Sequence, residues 1–197
     1  MATRRRIVFY AALCFRLALR RPGNPLEVLG LAGVQSRERV TGAGTARAYP
    51  GRFDSPGFPV LYVAETVETC VAEIAHHLQA HYLDHRHGLH AQDFRYTLLE
   101  VPIAGAFYDL RGRRDAPRGL VAPSGAAYAV ARRYAVRACQ DGLDGLIYGS
   151  PRLRDGTCLA RFLTPGLTIP TRPVGEVRFH WTGKRLLSPT PRPDMGA

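Results

Sequence analysis

Residues 7–17 form an apolar run rich in β-formers and predict a first strand. A turn rich in Pro and Gly follows at residues 21–25, and residues 26–33 suit a short helix. Residues 36–59 are polar and crowded with glycine, and a loop of that length inside a compact domain is usually functional. Val60–Ala64 is a short apolar strand. Thr66 then caps a helix, and Val67, Cys70, Val71, Ile74 and Leu78 recur at helical spacing as one buried stripe. Residues 94–101 alternate as a strand, and residues 106–110 predict another. A basic loop over residues 111–123 leads to Ser124, which caps a second helix running to about Asp141, with Gly142 ending it. Residues 143–148, 157–163 and 176–181 read as further strands, with a tight turn at residues 149–151. From Leu187 the chain is polar and Pro-rich, which predicts a disordered tail over 187–197 behind a single domain over 1–186. There is no internal repeat. Short strands interrupted by two strong helices give an α+β class, not a regular βαβ series.

Composition fits one soluble domain: 197 residues, 46% of them hydrophobic. The charge changes the picture more. The formal net charge is +11, and Lys184 is the only lysine among 27 basic residues, a bias that GC-rich coding also produces. A basic surface attracts nucleotides, nucleic acid or an acidic protein, and arginine grips phosphate with a planar fork that lysine lacks. A basic nucleic-acid-binding module is therefore the alternative of another class. No helix-turn-helix, zinc-ligand spacing or RNP-like aromatic motif supports it, so direct nucleic-acid binding is not expected.

The four cysteines, Cys14, Cys70, Cys139 and Cys158, form no CxxC and read as reduced core or boundary thiols of a cytoplasmic protein. Arg4, Arg5 and Arg6 ahead of an apolar run resemble a signal peptide, but Arg16 interrupts the run and no A-x-A site follows promptly. No stretch approaches the ~20 apolar residues of a membrane span.

Two constellations carry chemistry. In the first, a glycine-rich loop bearing Arg47 and Arg52 feeds the strand of Tyr62, and the helix that follows presents Glu73 beside the apolar stripe. The glycines allow close backbone approach to a ligand, the arginines suit a diphosphate, and the tyrosine offers a ring and a hydroxyl. In the second, the strand in Asp144-Gly-Leu-Ile-Tyr-Gly-Ser150-Pro-Arg ends on a serine at a tight turn. Strand ends commonly build ligand pockets. This is not a nucleophile elbow, since neither a second glycine nor a helix follows. Taken singly, Glu73 also suits a helix surface and Ser150 a turn cap. His76, His77, His81, His85, His87 and His90 crowd the end of the Glu73 helix. Zinc sites usually add a carboxylate or cysteine from elsewhere, none can be nominated, and no metal is expected.

Gly51-Arg52-Phe53, Val60-Leu-Tyr62-Val-Ala-Glu-Thr, Val71-Ala-Glu73 and Gly145-Leu-Ile-Tyr148-Gly-Ser150-Pro-Arg152 together resemble the RES-domain family, over about residues 43–165. The resemblance implies a fold like that of diphtheria-toxin-type ADP-ribosyltransferases, a mixed or antiparallel sheet flanked by helices. It implies NAD+ as substrate, cleaved at the nicotinamide–ribose bond by hydrolysis or phosphorolysis, or used to modify a protein with ADP-ribose. It also implies a toxin role, with an Xre-type antitoxin as partner, and a homo-oligomer is compatible with it. By the match, Glu73 and Ser150 take the glutamate and serine roles and Tyr62 the tyrosine role. The family arginine is expected at Arg47, with Tyr49, in a stretch that here reads Arg-Ala-Tyr-Pro with one residue interposed. Arg52 supports it, and Arg16, in an early strand, is the runner-up.

Overall fold

The computed structural model describes residues 6–19, 53, 60–84, 91–111, 125–163, 167, 169–187, 189 and 192–193. Ten elements follow in chain order: β1 (Ile7–Leu19), β2 (Val60–Ala64), α1 (Val67–Asp84), β3 (Gln92–Asp109), α2 (Gly125–Gln140), β4 (Gly145–Gly149), β5 (Thr157–Phe162), β6 (Arg172–Trp181), β7 (Leu186–Leu187) and β8 (Arg192–Pro193). The sheet is mixed, in the order β1-β2-β5-β4-β3-β6-β7, with β8 on β6. Only the β3–β4 pair is parallel. The α+β expectation holds.

Because β1 pairs with β3 as well as with β2, five strands close into a ring: β1-β2-β5-β4-β3 and back to β1. Alternation along each strand sorts the residues between the two faces. Cys14, Ala18, Leu61, Val63, Leu99, Val101, Ile103, Phe107, Ile147 and Leu159 fill one core, inside the ring. The opposite face carries two further cores. Leu17, Ala64, Cys70, Phe94, Tyr96 and Trp181 pack under α1. Phe53, Tyr148, Cys158, Ala160 and Phe162 pack with Ala131, Ala135 and Ala138 of α2.

The α1 stripe behaves as its spacing predicts: Cys70 is buried in this core and Val67, Val71, Ile74 and Leu78 pack against it. Thr66 caps α1, its Oγ1 accepting the Thr69 amide at 3.2 Å. At the end of α2, Gly142 has φ 71° and its amide donates to the Cys139 carbonyl, while Leu143 N reaches Ala138 O.

The structure corrects three boundaries. Residues 94–101 and 106–110 are not two strands but parts of the single strand β3. Pro102 lies where β3's second edge has no neighbour, since β6 pairing ends at Glu100 and β4 pairing begins at Phe107. The donor that proline lacks is thus not needed there. The late strand expected from residue 176 begins at Arg172, with a register shift at Leu98/Leu99. Within the expected tail, Leu187 and Arg192–Pro193 pair with β6. The short helix at 26–33, the loops at 36–59 (Phe53 apart) and 112–123, and Ser124 lie outside the described residues.

All four cysteines are free; Cys14, Cys70 and Cys158 are buried and Cys139 is exposed. Among the described residues no helix is long and apolar enough to cross a membrane.

Candidate active site

The C-terminal ends of β2 and β4 and the start of β5 lie side by side, because β5 runs antiparallel to both. Each delivers a polar group to that end. From β2 the chain passes through Glu65 and the Thr66 cap into α1, whose second turn presents Glu73. From β4 it enters the turn that begins at Ser150. Ser150 Oγ donates to Glu73 Oε1 at 2.5 Å, joining residues 77 positions apart. Both side chains are half-buried.

The serine hydroxyl is held from three sides. Its oxygen accepts the amides of Arg152 and Leu153, both at 3.0 Å. With both acceptor directions taken, its proton is aimed at the carboxylate. Ser150 N in turn donates to Gly156 O at 2.7 Å, closing the turn. The turn is pressed against α1: a Cβ on Gly156 would lie 2.8 Å from Thr69 Oγ1 and 3.1 Å from Ser150 Cβ. Thr69 is fully buried and its Oγ1 meets Thr66 Oγ1 at 2.9 Å. One end of α1 and the Ser150 turn are therefore locked together.

The floor between the helices comes from β2, β4 and β5. Register pairs Tyr148 and Ala64 with Cys158, placing them on one face. Cys158 Sγ lies 3.9 Å from Glu73 Oε1. The Tyr62 hydroxyl accepts the amide of Phe53 at 2.8 Å, and their rings stack at 6.4 Å. Phe53 is wholly buried and also packs on Tyr148 at 4.9 Å. Phe53 is thereby anchored on β2.

Arg16, the runner-up, reaches the strand that carries Tyr62. Half-buried on β1, it donates from Nη1 to the Tyr62 carbonyl at 3.3 Å. Burial pushes the Cys70 thiol up to about 12; the Leu17 backbone and the Arg16 charge oppose that shift and the Glu73 charge adds to it. The structure joins Glu73 to Ser150 and Arg16 to the Tyr62 carbonyl, whereas Arg47, Tyr49 and Arg52 lie outside the described residues.

A second polar cluster lines the same end of the ring. Tyr10 donates to Glu65 Oε1 at 3.1 Å. Asp109, wholly buried, takes Arg111 Nε at 3.0 Å and Nη2 at 3.1 Å, with Arg6 at 3.4 Å. Burial works to raise the Asp109 pKa, but the Arg111 hydrogen bonds and the two guanidinium charges hold it below the usual carboxylate range.

Sequence reasoning missed Thr69, Gly156 and the direct approach of Cys158 to Glu73. Only strand parity around Tyr148 and Ala64 hinted at Cys158; nothing local marks a threonine and a glycine 87 positions apart as neighbours. Among the described residues no group of three or more His, Cys, Asp and Glu is placed to hold a metal ion. His76 and His77 lie side by side, ring centroids 5.9 Å apart, and residues 85–90 fall outside the described residues.

Comparison with known proteins places this geometry. A family model, the RES domain, matches residues 33–182. No curated protein matches the chain in sequence. Among solved structures, a chain of the M. tuberculosis MbcT–MbcA toxin–antitoxin complex is similar, with a TM-score of 0.53 at 17% identity, covering 90% of this chain and 87% of that one. That likeness is one of fold.

Proposed function

The chain belongs to the RES-domain family, and from that premise we propose that it cleaves the nicotinamide–ribose bond of NAD+, with water or phosphate as acceptor. The observation that carries this reading is the Ser150–Glu73 pair: a carboxylate held by a hydroxyl that two backbone amides have already oriented. As the C1′–N bond breaks, its electron pair passes to the pyridinium nitrogen, so nicotinamide leaves neutral and needs no general acid. Positive charge builds on the ribose, as in other glycoside cleavages through an oxocarbenium-like state. A fixed carboxylate beside that carbon stabilises the charge at no cost in reorganisation. Water then adds to C1′ and releases a proton, or a phosphate oxygen adds instead.

In this reading Ser150 keeps Glu73 aimed, and Tyr62 borders the nicotinamide side while anchoring Phe53. Arg16 takes the substrate-holding role that the sequence alone gave to Arg47, with Arg47, Tyr49 and Arg52 as the further candidates for binding. We assign the protein to the toxin side of a toxin–antitoxin pair, with an Xre-type protein as its partner in the cytoplasm. The similar MbcT–MbcA chain, itself part of such a complex, supports that assignment.

The test is direct. The full chain, freed of any partner and supplied with no metal, is incubated with NAD+, and free nicotinamide is expected. Its absence sinks the reading. Activity that a chelator abolishes and zinc restores sinks the metal-free mechanism. Label appearing on a protein in place of free ADP-ribose assigns a protein acceptor.

A further inference from the structure

Several arginines among the described residues meet a carboxylate. Arg111 binds Asp109, Arg161 binds Asp144, Arg172 binds Glu100 and Arg178 binds Glu176. Arg152 does not. It is half-buried, and its Nε is shielded from solvent with no hydrogen-bond partner among the described residues. A buried donor left unmatched costs free energy, more so on a charged group. Arg132 on α2 and Arg16 on β1 have the same unmatched Nε, but Arg132 is not tied by a hydrogen bond to the reaction pair and Arg16 donates from Nη1 to the Tyr62 carbonyl instead. Arg152 is tied: its own amide donates to Ser150 Oγ, the oxygen that holds Glu73. A guanidinium with no carboxylate partner among the described residues therefore stands two residues from the serine, in a turn pinned to α1.

We propose that Arg152 binds a phosphate group at this site. A guanidinium offers phosphate two parallel donors, and a shielded Nε leaves that pair to the two Nη groups. The inference rests on the function proposed above, which supplies two sources of phosphate: the diphosphate of NAD+ and the inorganic phosphate of phosphorolysis. Arg154 is the natural control. It lies in the same turn, is almost fully exposed and pairs with Asp155 at 3.7 Å.

Calorimetric titration of the full chain with ADP-ribose, and separately with inorganic phosphate, tests the proposal without requiring turnover. Arg152→Ala is expected to weaken binding about 10-fold or more, the scale of a lost charge-assisted contact. Arg152→Lys should fall in between, and Arg154→Ala should bind as the parent does. Arg152→Gln keeps the length of the side chain and serves if the alanine variant does not fold. Weakened ADP-ribose binding assigns Arg152 to the substrate diphosphate; weakened inorganic phosphate alone assigns it to the acceptor. Unchanged affinity for both in the folded variants overturns the proposal. A parent that binds ADP-ribose through Arg152 but releases no nicotinamide sinks the proposed function and spares this inference. A parent that cleaves NAD+ with the same KM and phosphate dependence as the Arg152 variants does the reverse.

Discussion

Glu73 occupies a position at which an ordinary helix glutamate would point to solvent. Its acceptor oxygen instead meets Ser150 at 2.5 Å and Cys158 at 3.9 Å. Glu73→Gln keeps the shape and removes the charge. A surface role predicts a stability change within about 0.5 kcal/mol and intact activity. The proposed role predicts a folded variant with kcat lower by about 100-fold or more and NAD+ affinity far less affected, because the charge matters most as the bond breaks. Steady-state kinetics on the purified variant decides. The arginine is settled by a pair of variants. Arg16 reaches the Tyr62 carbonyl, and under the proposed role Arg16→Ala is expected to raise the KM for NAD+ more than Arg47→Ala does. The opposite ranking, with both variants folded, returns the role to Arg47.

At the scale of elements, the site depends on how α1 meets the turn after β4. The meeting point is Gly156 against Thr69, and a methyl group there has no room. Gly156→Ala should displace the turn, at about 1–3 kcal/mol of overpacking in thermal unfolding. Because Ser150 sits across the same turn, kcat should fall about 10-fold or more while the helix content by circular dichroism stays unchanged. Adding Thr69→Ala, which removes the nearest atom, should recover part of both losses. A Gly156→Ala enzyme with parental kcat would mean that the turn tolerates movement and that Ser150 aims nothing. Asp144 shows the same kind of close fit elsewhere: its Oδ2 takes the Ala106 amide at 2.8 Å, against Gly105, whose φ is 147°.

For the molecule as a whole, burial of thiols predicts how stability varies with pH. Burial raises Cys14 to about 11 and Cys70 to about 12, against an ordinary value of 9.0. A raised folded-state pKa means that the unfolded chain loses its proton first. The stabilisation is therefore complete below pH 9 and is lost as pH rises toward 11–12. Chemical unfolding at a series of pH values should show stability falling from about pH 9 upward. In Cys70→Ala that alkaline slope should be shallower, whatever the cavity costs at neutral pH. An unchanged slope would locate the alkaline sensitivity elsewhere.

The sequence determined what depends on neighbours along the chain. Helical spacing from Val67 to Leu78 and the Thr66 cap defined α1, and Gly142 marked the end of α2, because period and capping are local. The ordered fragments from Gly51 to Ser150 pointed to the RES family and singled out Glu73 and Ser150. Strand limits were less legible: β3 is continuous because β1 runs beside it for its whole middle, and a partner strand is not visible in the residues it supports. The sequence left the arginine between positions 47, 52 and 16, since a guanidinium's reach depends on strands meeting in space. Only tertiary structure closed the five-stranded ring, set Thr69 against Gly156, left Arg152 without a carboxylate and brought Arg16 to Tyr62. Each of those depends on how segments far apart in sequence lie against one another, decided by register and packing and not by local propensity.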